Sequence, residues 1–134
     1  MPLISRWNRN KLSFRIGSNK SEDGGQIFTV DHVVAHKNYT GSWDNDVAVV
    51  KLNKPIKFGK NVKPIKLGTK SLKAGTKGLI AGWGESSEFD WGDPLLYKGK
   101  VYGLLAGLSE CLSYPAFYTD VRSYVDWIKR AMQE

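Results

Sequence analysis

The sequence predicts an all-β fold of mostly antiparallel strands closed by one C-terminal α-helix, and three observations predict it. Short stretches alternate apolar and polar residues, the period-two pattern of half-buried strands, as at residues 12–17. Fourteen glycines, with clusters of Asn, Ser and Asp, punctuate these stretches at short intervals. Only the last segment changes period: Tyr124, Val125, Ile128 and Met132 fall three or four apart, with Lys129 and Arg130 late, as in an amphipathic helix. At 134 residues, 41% hydrophobic and 25% charged, the chain has the length and composition of one globular domain.

In chain order, residues 1–11 lack periodicity and place Arg6, Arg9 and Lys11 among polar and aromatic neighbours, which reads as a basic arm. Residues 12–17 read as a strand and 18–25 as a turn with paired glycines. Residues 26–30 and 33–36 read as one strand or two. Residues 40–45 form a loop that delivers Asp46 to the most apolar strand, 47–52. From there lysine recurs at every third position: Lys51, Lys54, Lys57, Lys60, Lys63 and Lys66. That spacing matches neither a strand face nor an α-helix but suits a polyproline-like connector, and Pro55 and Pro64 lie within it. It reads as a solvated surface or as a polyanion-binding edge. Residues 78–84 are a strand entering a glycine-rich turn, and 85–94 are acidic and turn-rich. Residues 95–97, 98–100 and 101–105 read as a hairpin, with Gly99 at the tight turn.

The net charge of +7 and pI near 9.5 permit attraction to acidic partners, including an acidic polysaccharide, without requiring it. A protein or peptide ligand fits equally; no specific nucleic-acid motif and no membrane-spanning stretch is present. The opening residues carry no apolar run of signal-peptide length. Two histidines and one cysteine do not make a metal ligand set, no phosphate loop is found, and no cofactor is expected. The lone Cys111 has no partner for an internal disulfide, which by itself fits a reducing compartment.

Four segments carry a resemblance. Asp44-Asn45-Asp46-Val47-Ala48-Val49-Val50-Lys51-Leu52, with Val34-Ala35-His36-Lys37-Asn38-Tyr39 before it, resembles the catalytic-aspartate region of trypsin-like serine peptidases. Ala81-Gly82-Trp83-Gly84 is similar to that family's small-Gly-Trp-Gly turn. Tyr114-Pro115-Ala116-Phe117-Tyr118-Thr119-Asp120-Val121 and Tyr124-Val125-Asp126-Trp127-Ile128 resemble its closing strand and C-terminal helix. All four stand in the family's order. The resemblance implies an incomplete version of a double β-barrel, with 12–67 the remnant of the first barrel and connector and 68–134 the remnant of the second barrel and helix. Open barrels leave unpaired strand edges, which invite association.

The family's chemistry needs a serine nucleophile, a histidine base and an aspartate that orients the histidine. Asp46 matches the aspartate. The chain opens beyond the point where the family's Thr-Ala-Ala-His-Cys segment stands, so the base is expected to be missing. His36 matches a non-catalytic histidine, and His32 has no catalytic counterpart. Where the family has Gly-Asp-Ser-Gly-Gly-Pro, which also supplies the oxyanion hole, this chain has Gly92-Asp93-Pro94, as if Ser-Gly-Gly had been removed. Asp93 matches the aspartate that pairs with a new N-terminal amine in activated members. Ala106-Gly107-Leu108 stands where the family reads Ser-Trp-Gly on the pocket wall, and Leu108 would intrude at the pocket mouth. Cys111 matches half of a disulfide whose partner lay beside the nucleophile, so the resemblance favours a secreted, extracellular lineage over a cytosolic one.

Three functions compete. One is an inactive peptidase homologue, acting as a binding module or simply a shortened gene product. The second is a peptidase of unusual mechanism. The third is a basic module that binds polyanions or proteins through the six lysines.

Overall fold

The computed structural model describes residues 12–83, 91–107 and 115–134. Eight strands form two sheets: β1 (Ser13–Ile16), β2 (Gln26–Ala35), β3 (Ala48–Leu52), β4 (Lys66–Leu67), β5 (Leu79–Ile80), β6 (Pro94–Tyr97), β7 (Lys100–Gly107) and β8 (Phe117–Asp120). A 3₁₀ turn, Val121–Tyr124, leads into α1, Val125–Ala131.

The first sheet has the order β1-β2-β3, all antiparallel. The two stretches read from the sequence at 26–30 and 33–36 are one ten-residue strand. Their interruption survives as a register shift between Val30 and His32, where Asp31 is the extra residue of a bulge. Phe28 is the anchor of this sheet at 1% exposure, a burial whose loss on truncation to Ala costs about 3–5 kcal/mol. Lys54 Nζ lies 5.0 Å over the same ring, so the lysine stem covers what the sheet leaves open.

The second sheet is built on β7. Along one edge it pairs with β6, and along the other with β4 over its first residues and β8 over its last. The β4–β7 ladder, Lys66↔Lys100 and Leu67↔Val101, is parallel, the exception in an otherwise antiparallel architecture. As the central strand, β7 supplies Val101, Leu105 and Ala106 to the core. The β6–β7 hairpin turns on Lys98 and Gly99, both at positive φ (46° and 70°), the primed geometry that follows strand twist. Glycine adopts that conformation without a Cβ penalty; Lys98 does not.

The lysine-rich connector is less straight than its spacing suggests. A bridge between Gly59 and Val62 folds it back, with Gly59 N–H donating to the Val62 carbonyl at 2.9 Å. Lys51 therefore belongs to β3 and Lys66 to β4, on different sheets, while all six lysines are exposed. From Tyr124 at the end of the 3₁₀ turn the covered stripe continues into α1 through half-buried Ile128 to buried Ala131, and Met132 is 71% exposed. The helix ends at Ala131, so Met132 lies past the surface that would cover it. Among the described residues, no helix is long and apolar enough to cross a membrane.

Candidate functional site

The loop before β3 is shaped by Asn45, which sits at φ 57°, a left-handed conformation that Asn tolerates better than most side chains. Two tethers hold it there. Its side-chain oxygen accepts from the Tyr124 hydroxyl at 3.2 Å, and its amide nitrogen donates to the Asn38 carbonyl at 3.4 Å. Next along the chain, the Asp46 carbonyl accepts from Thr119 Oγ1 at 3.0 Å, and Thr119 is 6% exposed on β8. Val47, 7% exposed, then enters the core, and its carbonyl accepts from His36 N–H at 3.0 Å. Asp46 is thus placed where the first sheet meets β8 of the second.

The Asp46 carboxyl is half-buried, and burial pushes its pKa above the ordinary carboxylate value. Among the described residues it makes no hydrogen bond or ion pair that would offset this. Neither histidine approaches it in that role. His36 turns its ring toward the helix, edge-on to Tyr124 with centroids 5.4 Å apart and tilted against Trp127 at 5.0 Å, while its Nδ1 accepts from Asn38 N–H at 3.3 Å. His32 lies on β2 opposite Lys51. His36 thus has a structural role between the loop and the helix, while His32 is exposed.

Among the described residues, the chain from Gly92 onward forms no projecting loop. Gly92 N–H donates to the Leu105 carbonyl at 2.8 Å, Leu105 N–H returns to the Asp93 carbonyl at 2.9 Å, and Pro94 already pairs with Leu104 in β6. The backbone passes from Gly92 straight into the ladder. The Asp93 carboxylate lies against Gly82, and a Cβ added there would require the carboxylate to move aside. Burial, and then the Asp93 charge, push the Tyr118 hydroxyl pKa up.

Ala106 and Gly107, read as pocket wall, close β7 and are buried. A Cβ on Gly107 would meet Trp43 Nε1 at 3.1 Å, and the Trp43 ring stacks on Phe117 with centroids 4.8 Å apart and planes 15° from parallel. The family's pocket wall carries tryptophan where this chain has Gly107. Here an indole reaches the same spot from the loop before Asp46. Sequence reasoning gave Trp43, Phe117, Thr119 and Tyr124 no place in the site, although the last three stood in the resembling segments; the one available signal was the bare glycine at 107, which leaves room for an aromatic ring. Leu108 and Cys111 lie outside the described residues, as do the 1–11 arm and Gly84. Of the six lysines, Lys51 lies on β3 and Lys66 on β4, and Lys54, Lys57, Lys60 and Lys63 lie on the connector between them, which folds back at the Gly59–Val62 bridge. Among the described residues no cluster of three or more potential metal ligands occurs.

Comparison with known proteins agrees with this geometry. The profile of the Trypsin family matches residues 5–91. Serine protease 1 of Rattus norvegicus is 32% identical, over 90% of this chain and 71% of its own length. A trypsin of Gallus gallus is 22% identical over 92% of this chain and 72% of its own length. Among solved structures, a scabies mite inactivated protease paralogue superposes with a TM-score of 0.80 at 18% identity, covering 94% of this chain and 78% of that one. Mouse neuropsin, a serine protease, superposes with a TM-score of 0.78 at 20% identity, covering 90% of this chain and 78% of that one. A profile spanning most of the chain, a relative above 30% identity and the shared fold converge with the Asp46 loop and its β8 tether: the chain belongs to the trypsin family of serine peptidases.

Proposed function

We propose that this chain is a catalytically inactive trypsin-family protein, of extracellular lineage, that acts by binding. The run Gly92-Asp93-Pro94 carries the reading. The family's covalent mechanism needs a serine after that aspartate and backbone amides beside it to hold the oxyanion. In this chain the corresponding backbone is committed to the β6–β7 ladder. Asp46, matched to the triad aspartate, supports the same reading: its carboxyl is desolvated without an imidazole to orient. The scabies mite protein is described as an inactivated protease paralogue, so the fold is held by a chain of that kind.

The test is hydrolysis of basic, aromatic and small-aliphatic chromogenic peptides by purified chain, with Asp46→Ala as control and fluorophosphonate labelling alongside. Background rates and no labelling, in a sample folded by circular dichroism, are expected. Turnover abolished by the substitution would refute inactivity.

A second reading is favoured by one observation: Lys51, Lys54, Lys57, Lys60, Lys63 and Lys66 are all exposed, and among the described residues none forms a salt bridge. Such unneutralised charge supports binding to a polyanion. Salt-sensitive retention on heparin that falls when these lysines are changed to glutamine tests it.

A further inference from the structure

Two triplets of the sequence, Asn19-Lys20-Ser21 and Asn38-Tyr39-Thr40, place an asparagine two positions before a hydroxyl residue with no proline between, the acceptor pattern for N-glycosylation. Their surroundings in the fold differ. Asn38 is the second central residue of a turn in which Tyr39 N–H donates to the His36 carbonyl at 3.0 Å. Its own N–H donates to His36 Nδ1 at 3.3 Å, and its carbonyl accepts from Asn45 Nδ2 at 3.4 Å. Tyr39, 8% exposed, carries the turn into the core. Both backbone groups of Asn38 are thus satisfied within this one loop, so the turn is closed on itself and offers no ladder to an added strand.

The side-chain amide is the part of Asn38 that the fold does not use. The residue is exposed, and its Oδ1 and Nδ2 make no hydrogen bond among the described residues. Thr40 is exposed too, its hydroxyl 3.3 Å from that of Ser42. A bulky group on Asn38 Nδ2 leaves every tether of the Asp46 loop in place, because Asn45 grips the Asn38 carbonyl and the Tyr124 hydroxyl, not the Asn38 amide. The Asn19 side chain is exposed as well, but the Asn19 carbonyl accepts from Trp83 Nε1 at 3.0 Å, an indole 64 positions away. Arg15 draws that turn in by donating to the carbonyls of Ser21, Glu22 and Gly24. A sugar there shares its surroundings with a distant segment, whereas one on Asn38 stands on a self-contained turn.

We propose that Asn38 is a site of N-linked glycosylation, taking an oligosaccharide from a lipid-diphosphate donor. A bond forms between Asn38 Nδ2 and the anomeric carbon of the first sugar, and the bond from that carbon to the diphosphate oxygen breaks. The lipid diphosphate leaves with the electron pair, and the amide nitrogen gives up one proton to a base of the transferase. The product is a large, polar surface group at the turn before Asp46. This rests on the extracellular lineage proposed above, because donor and transferase belong to the secretory pathway.

The experiment expresses the full chain in cultured animal cells behind a cleavable secretion leader, beside Asn38→Gln, Asn19→Gln, Thr40→Ala and Thr40→Ser. Electrophoretic mobility is read before and after a peptide-N-glycanase, and peptide mass spectrometry locates the modified position. Transfer precedes folding, so a variant that folds poorly still reports its glycan. A glycanase-sensitive shift is expected in wild type, Asn19→Gln and Thr40→Ser, with the glycan at position 38 lost completely in Asn38→Gln and in Thr40→Ala, which keeps the asparagine but not the hydroxyl. A second shift dependent on Asn19 beside the one dependent on Asn38 also supports the assignment. No shift, or a shift lost only in Asn19→Gln, overturns it. A chain secreted without a glycan at position 38 overturns the assignment and leaves the extracellular reading standing; a chain glycosylated there but held inside the cells supports the assignment and counts against that reading.

Discussion

Thr119→Val isolates the contact that joins β8 to the Asp46 loop. The substitution is close to isosteric and removes a hydroxyl that is 6% exposed and donates to the Asp46 carbonyl at 3.0 Å. A hydrogen bond of this type contributes a net of about 0.5–1.5 kcal/mol, and a carbonyl left unpaired in the interior costs roughly 1–3 kcal/mol. Asp46 is only half-buried, so water can reach part of that carbonyl and the lower range applies. The gain from burying valine's extra methyl in place of the hydroxyl is smaller than the loss. The expected destabilisation is about 1 kcal/mol. With a urea m-value of about 1–3 kcal/mol/M for a small domain, the midpoint falls by roughly 0.3–1 M. Equilibrium urea unfolding followed by circular dichroism measures it, with Thr119→Ser as the partner experiment because serine keeps the hydroxyl and loses the methyl. If valine matches wild type while serine is destabilised, the residue contributes packing alone, and the idea that β8 pins the Asp46 loop by this bond is refuted.

Two other outcomes are expected. Burial raises the Asp46 pKa in the folded chain, so the native state holds its proton to higher pH than the unfolded chain does. Its contribution to stability is therefore fullest below the ordinary value of 3.8 and falls as pH rises through the raised folded value. Asp46→Asn should accordingly gain on wild type as pH rises across that window and hold a constant difference above it; pH-dependent denaturant midpoints showing the opposite slope would mean that a cation pairs with Asp46. Gly107→Ala should be neutral to destabilising by about 1 kcal/mol, because its Cβ meets Trp43 at 3.1 Å. In a Trp43→Ala background the same change should stabilise by about 0.5 kcal/mol, since alanine loses less backbone entropy than glycine. Thermal melts of the four variants in that cycle read the sign, and equal effects in both backgrounds would show that Trp43 does not occupy the Gly107 surface.

Much of the fold is written locally. Period-two alternation marks β1 and β2, the glycines mark turns, and the spacing of Tyr124, Ile128 and their neighbours marks α1, because each depends on which face of a short element is buried. The order of four motifs identified the family, and the absence of Ser-Gly-Gly between Asp93 and Pro94 could be read directly. What the sequence by itself could not determine are relations between distant residues. The parallel β4–β7 ladder joins Lys66 to Lys100, and the turn at Gly59–Val62 breaks a lysine spacing that reads as straight. Trp43 comes to rest on Gly107 and Phe117, sixty residues and more downstream, because removing one large side chain leaves a surface that another can cover. The Thr119 hydroxyl finds the Asp46 carbonyl for the same kind of reason: a half-buried backbone group requires a donor, and only the packing of β8 against the loop supplies one. Residue type and spacing set each element's own conformation, whereas tertiary packing alone decided which elements meet, and with it the desolvated Asp46.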